Sequence, residues 1–103
     1  MSIQPETIIL NQCRDLLKLH GFVVIRNQQG IASHKGMSDL TAIKKGRVFW
    51  VEIKTKSGKL SSHQIKFRDM IESVGGDYWT IRSVEEIAQH ISDAGLADKK
   101  VLF

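Results

Sequence analysis

Two residues, Lys45-Gly46, separate two short runs of strand character, Leu40 to Lys44 and Arg47 to Thr55. A two-residue link of this kind predicts a tight β-hairpin, and a hairpin with a two-residue turn has a fixed register. Lys44 then pairs with Arg47. Counting away from the turn sets Ile43 against Val48, Thr41 against Trp50 and Asp39 against Glu52. Directly opposed residues have Cβ atoms roughly 4.5–5.5 Å apart. Two carboxylates that close repel, and a purely structural hairpin gains nothing from them.

The second strand alternates. Phe49, Val51 and Ile53 point to one face, and Val48, Trp50, Glu52 and Lys54 to the other. Glu52 and Lys54 therefore share a face about 6–7 Å apart along the strand. A divalent cation between Asp39 and Glu52 removes the repulsion. Hard Mg²⁺ or Mn²⁺ suits one or two carboxylates with waters and phosphate oxygens. Lys54 beside it can stabilise an attacking hydroxide or the charge developing on phosphorus. Glu6 supplies a third acid. It lies three residues before Ile9 and seven before Cys13, so it prolongs the apolar stripe of the first helix. A carboxylate on an apolar face needs a partner, and a shared cation is one. A first-turn acid complementing the helix dipole is the other reading of Glu6.

The rest of the chain predicts α-β-β-β-α-β-α. A helix runs from about Pro5 to Leu19, with Ile9, Cys13, Leu16, Leu17 and His20 as its buried stripe. Phe22 to Ile25 predicts a buried strand, and Arg26 to Ser38 a polar, mobile loop. Lys54 to Lys59 is a second, basic loop. Ser61 with Gln64 forms a capping box, opening a helix whose apolar face is Ile65, Phe67, Met70, Ile71 and Val74 and which Gly75-Gly76 ends. Tyr78 to Ile81 is a strand. Ser83 with Glu86 is a second capping box for a helix through about Ser92, closed near Gly95. A mixed sheet flanked by helices follows.

One domain spanning 1–103 is expected from the length. Fifteen Lys and Arg against eleven Asp and Glu give +4, a mild excess that favours polyanionic partners. The lone Cys13 excludes an intrachain disulfide framework and a cysteine-rich zinc site, and fits a reducing cytoplasm. His20, His34, His63 and His90 lack metal-ligand spacing. The longest apolar runs are four residues, too short for a membrane span or a secretory signal.

These residues together resemble the PD-(D/E)XK nuclease superfamily, and within it the virus-type replication-repair nuclease (VRR-NUC) family. The resemblance covers roughly Glu6 to Ile87. Its carriers are Glu6, Gly36-Met37-Ser38-Asp39-Leu40, Val51-Glu52-Ile53-Lys54, Gln64 with Phe67, Gly75-Gly76 before a tyrosine strand, and Ser-Val-Glu-Glu-Ile. Ser38 stands where the superfamily has its proline. The resemblance implies a restriction-endonuclease-like α-β-β-β-α-β core and Mg²⁺- or Mn²⁺-dependent hydrolysis of DNA phosphodiesters. It makes Asp39 and Glu52 metal ligands, Lys54 the catalytic lysine, and Gln64 and Glu6 supporting residues. It also implies a Holliday-junction-resolvase-like homodimer acting on branched DNA in a bacterial or phage-infected cell.

Lys35, Ser38, Lys56, Lys59 and Lys66 are the expected DNA contacts, with Lys56 and Lys59 favoured because their loop leaves the Glu52 strand. Lys44, Lys45, Arg47 and Arg68 add to the basic surface. No base-reading motif is visible, which suits recognition of DNA shape. Gln64 reads equally as a plain capping residue, and Trp50 as lining either the site or a dimer interface. The competing functions are a monomeric flap or nicking nuclease and a non-catalytic DNA-binding module of the same fold.

Overall fold

The computed structural model describes residues 4–28, 30 and 33–101. Its central hairpin forms as the turn sequence requires. Strands β2 (Leu40–Lys44) and β3 (Arg47–Ile53) pair antiparallel, with Lys44 opposite Arg47, Ile43 opposite Val48 and Thr41 opposite Trp50. Lys45 and Gly46 both have positive φ, 51° and 77°, the conformation of a type I′ turn. The ladder ends at Leu40 and Val51, one pair before Asp39 and Glu52. There the Asp39 side chain replaces a backbone partner, its Oδ2 accepting from the Ile53 amide at 2.7 Å.

Two further strands complete the sheet in the order β1-β2-β3-β4. Strand β1 (Val23–Arg26) runs antiparallel to β2, and β4 (Asp77–Ile81) parallel to β3. Helices α1 (Pro5–Leu19) and α3 (Val84–Asp93) lie on the Phe49, Val51 and Ile53 face. They contribute Leu10, Cys13, Leu16, Leu17, Ile87 and Ile91 to one core. Helix α2 (Ser62–Ser73) lies on the opposite face, where Phe67 meets Trp50 at 5.5 Å and Tyr78 at 6.2 Å between ring centroids. The mixed α/β order is the one expected from the sequence.

Four local expectations need correction. Strand β1 starts at Val23 and is not buried; Val23 is 61% and Ile25 49% exposed. It is the sheet edge, and α2 packs on β4 at the other edge. For the same reason α2 buries only Phe67, leaving Ile65, Met70 and Val74 exposed. Strand β3 stops at Ile53 because the chain turns at Thr55, whose carbonyl accepts from the Gly58 amide. Ser83 accepts from the Glu86 amide, but among the described residues the return bond of a full capping box is not made.

The segment before β2 is fastened at its described residues. The Asn27 side chain donates to the Ser38 carbonyl and the Thr41 hydroxyl, at 3.0 and 2.9 Å. Gly36 lies so close to α2 that a Cβ there would meet the His63 carbonyl oxygen at 2.1 Å, and its φ is +75°. Of the loop expected to be mobile, residues 29, 31 and 32 lie outside the described residues. Several expected surface cations are also spent inside the chain. The Lys44 ammonium donates to the carbonyls of His20 and Leu96. Arg47 pairs with Asp77, and Arg68 with Asp69 and Glu72.

Candidate active site

Each acid arrives on a different segment. Glu6 is in the first turn of α1, Asp39 just precedes β2, and Glu52 is near the end of β3. One carboxylate oxygen from each lies within 4.8 Å of the other two. Glu52 is 2% exposed, and its Oε1 has no hydrogen-bond partner among the described residues. Its Oε2 accepts from Gln64 Nε2 at 3.2 Å and stands 4.0 Å from Lys54 Nζ. Lys54 is itself mostly buried, with 15% of its side chain exposed.

Burial, then repulsion from Asp39, pushes the Glu52 carboxyl up from 4.5 to about 9, while Lys54 pulls the other way. A proton on Glu52 removes the cost of burying its charge beside Asp39. A dication does the same. The donors are all carboxylate oxygen, one buried oxygen is unpartnered, and the set draws no nitrogen or sulfur. That chemistry fits a hard divalent cation of the Mg²⁺ or Mn²⁺ type.

The cluster forms the floor of a cleft of about 750 Å³, whose walls include Lys35, Gly36, Met37, Ser61, His63 and Gln64. Gln64 makes two contacts with one side chain. Its Oε1 accepts from the Ser61 amide at 2.8 Å, closing the capping box, while its Nε2 holds Glu52. Lys35 lies on the cleft wall and is exposed. Ser38 is fully buried and its hydroxyl donates to the Leu40 carbonyl, so it has no surface to offer DNA. Lys56 and Lys66 are exposed away from the cleft lining, and Lys59 lines a separate cleft with Arg68 and Arg82. Trp50 packs on Phe67 and does not line the acid cleft.

A comparison with solved structures aligns the chain with one described as a VRR_NUC domain. The TM-score is 0.77, over 87% of this chain and 97% of that one, at 18% identity. The chain has the VRR_NUC fold. No protein-family model and no curated protein matches it. Within this VRR_NUC fold, the first helix, the hairpin and the second helix are the three parts that carry the acids, Lys54 and Gln64.

Some site features had no sequence signal. His63 lines the cleft from the first turn of α2. The Tyr78 hydroxyl is buried without a partner among the described residues, and burial together with Glu52 and Asp39 holds it protonated above its ordinary range. Arg82 donates to the Thr55 and Gly58 carbonyls, at 2.7 and 2.5 Å, and so shapes the loop that follows Lys54. Arg26 borders Asp39. Its position depends on β1 pairing with β2, which no local pattern encodes.

Proposed function

We propose that residues 1–103 act as a single nuclease domain, a Mg²⁺- or Mn²⁺-dependent, structure-selective DNA endonuclease. The observation that carries this reading is the meeting of Glu6, Asp39 and Glu52 at one point with Lys54 on the flank. A nucleic-acid binder without chemistry gains nothing from three acids beside phosphate. When bound, the dication supplies Lewis-acid polarisation of the phosphate and an acidified water. The three carboxylates hold it. Gln64 fixes the Glu52 carboxylate through Nε2, and the Lys54 ammonium balances negative charge as it grows on the phosphate oxygens. Lys35 on the cleft wall, with Lys56, Lys59 and Lys66 beyond it, attracts the DNA backbone.

A homodimer on branched DNA, such as a four-way junction, is the assembly we favour. Support comes from the exposed apolar residues of β1, Val23 and Ile25, which a second copy would cover. Among the described residues no helix is long and apolar enough to cross a membrane. The buried free thiol of Cys13 suits the reducing cytoplasm we assign it. The test is incubation of the protein with four-way, flap and linear DNA in Mg²⁺, Mn²⁺ or EDTA. Branched DNA should be cut with metal and spared in EDTA. Intact DNA in every metal lane, or cutting that EDTA leaves unchanged, would overturn the reading.

A further inference from the structure

Four of the five arginines are engaged within the chain. Arg14 pairs with Asp15, Arg47 with Asp77, and Arg68 with Asp69 and Glu72, while Arg82 binds loop carbonyls. The guanidinium of Arg26 makes no hydrogen bond or ion pair among the described residues, and the residue is exposed. Arg26 ends β1 opposite Leu40, and the amide of the next residue, Asn27, donates to the Asp39 carbonyl at 2.9 Å. The arginine is thus fixed by the sheet beside a proposed metal ligand.

It faces a second cleft, of about 320 Å³, which it lines with Thr7, Thr55, Glu6 and Asp39. Glu6 and Asp39 also line the main cleft. These two acids therefore form a partition with a groove on either side. A polynucleotide strand with one phosphate at the acid cluster must leave along such grooves. On the Arg26 side it meets a free guanidinium and two threonines. With a dication on the three acids and the Lys54 ammonium beside them, their charge is matched, and the guanidinium is left for another anion. Its planar fork suits a phosphate with two free oxygens.

We propose that the Arg26 cleft is a second phosphate subsite, holding the backbone phosphodiester adjacent to the one at the acid cluster. The proposal rests on the nuclease reading above. DNA binding by the whole protein, followed by fluorescence anisotropy in EDTA and in Ca²⁺ across a salt series, tests it. Arg26→Ala should weaken binding to all sequences alike and lower the salt slope by about one. Arg26→Lys should restore the slope, since the charge returns, but not the full affinity, since the fork does not. Arg14→Ala, which removes one positive charge elsewhere, should leave both at wild-type values.

Calorimetry with Mn²⁺ separates a further role. If Arg26 only balanced the acids, Arg26→Ala would raise Mn²⁺ affinity and leave DNA binding unchanged, and the subsite would be overturned. An Arg26→Ala slope and affinity equal to those of Arg14→Ala would overturn it too. If the wild type cuts DNA while Arg26→Ala binds like it, the subsite alone fails. If the wild type neither binds nor cuts DNA, the nuclease reading fails with it.

Discussion

Gln64 holds Glu52 with the same side-chain amide that caps its own helix. Its Nε2 donates to Glu52 Oε2 at 3.2 Å, and its Oε1 accepts from the Ser61 amide at 2.8 Å. The start of α2 and the orientation of a buried acid are therefore one structural decision. Gln64→Glu separates the two roles. Glutamate still completes a capping box, but it replaces a donor toward Glu52 with a fourth acid beside the cluster. The variant should match the wild type in stability near pH 5 and fall below it near pH 8, with cleavage reduced at both. Paired thermal melts and nuclease assays check this.

Glu52→Gln removes a buried ionisable group whose Oε1 has no partner among the described residues. Metal-free protein should gain on the order of 1 kcal/mol, about 4–8 °C in Tm for a domain of this size. Calorimetric Mn²⁺ binding should be lost in the same variant. A stabilised protein that no longer binds metal is the signature of a site whose acids are costly when empty of charge balance.

The pH dependence has a definite sign. The Glu52 carboxyl is raised from 4.5 to about 9 by burial first and Asp39 second. Between those values the folded protein keeps a proton that the unfolded chain has released. Its stabilising contribution is complete below the lower value and is lost as pH rises through the upper one. The slope is at most about 1.4 kcal/mol per pH unit. Metal-free Tm should fall across this window, and Glu52→Gln should flatten the fall. Metal affinity should rise over the same window, because binding must displace that proton.

Lys54→Ala should lower turnover by about a hundredfold to a thousandfold, the scale for losing one group that stabilises developing charge. DNA affinity should change little, since Lys54 lies beside Glu52 with most of its side chain buried. Single-turnover cleavage and anisotropy on the same DNA distinguish the two effects.

Two glycines with similar φ should behave differently. Gly46→Ala, at φ +77° with open space around it, should cost about 1–2 kcal/mol of backbone strain alone. Gly36→Ala meets the His63 backbone at 2.1 Å as well. It should cost more, and it should also disturb the Gln64 bond to Glu52 by displacing the start of α2. Urea denaturation and Mn²⁺ binding report the two consequences.

Much of the site was legible because a turn converts sequence distance into spatial register. Lys45-Gly46 fixes which residues oppose each other, and the count reaches Asp39 and Glu52 without knowledge of the rest of the fold. Glu6 was legible through helical period, and Lys54 through strand alternation. What sequence did not carry depends on non-local contacts. Strand β1 reads as buried from Val23-Val24-Ile25, yet its exposure is decided by where α2 lands. Ser38 reads as a loop hydroxyl available to DNA, yet it is buried and donates to the Leu40 carbonyl. Arg26 acquires meaning only when β1 is laid beside β2.

The three acids are separated along the chain by as much as Glu6 is from Glu52: Glu6 lies in α1, Asp39 just before β2 and Glu52 in β3. An ion seated on them would work as a reversible staple, tying the amino-terminal helix to the middle of the sheet. Loading would then slow the release of that helix and protect the segment around Pro5 from proteases, while chelation would expose it. Resistance to limited digestion would thus report the same occupancy that the proposed chemistry requires.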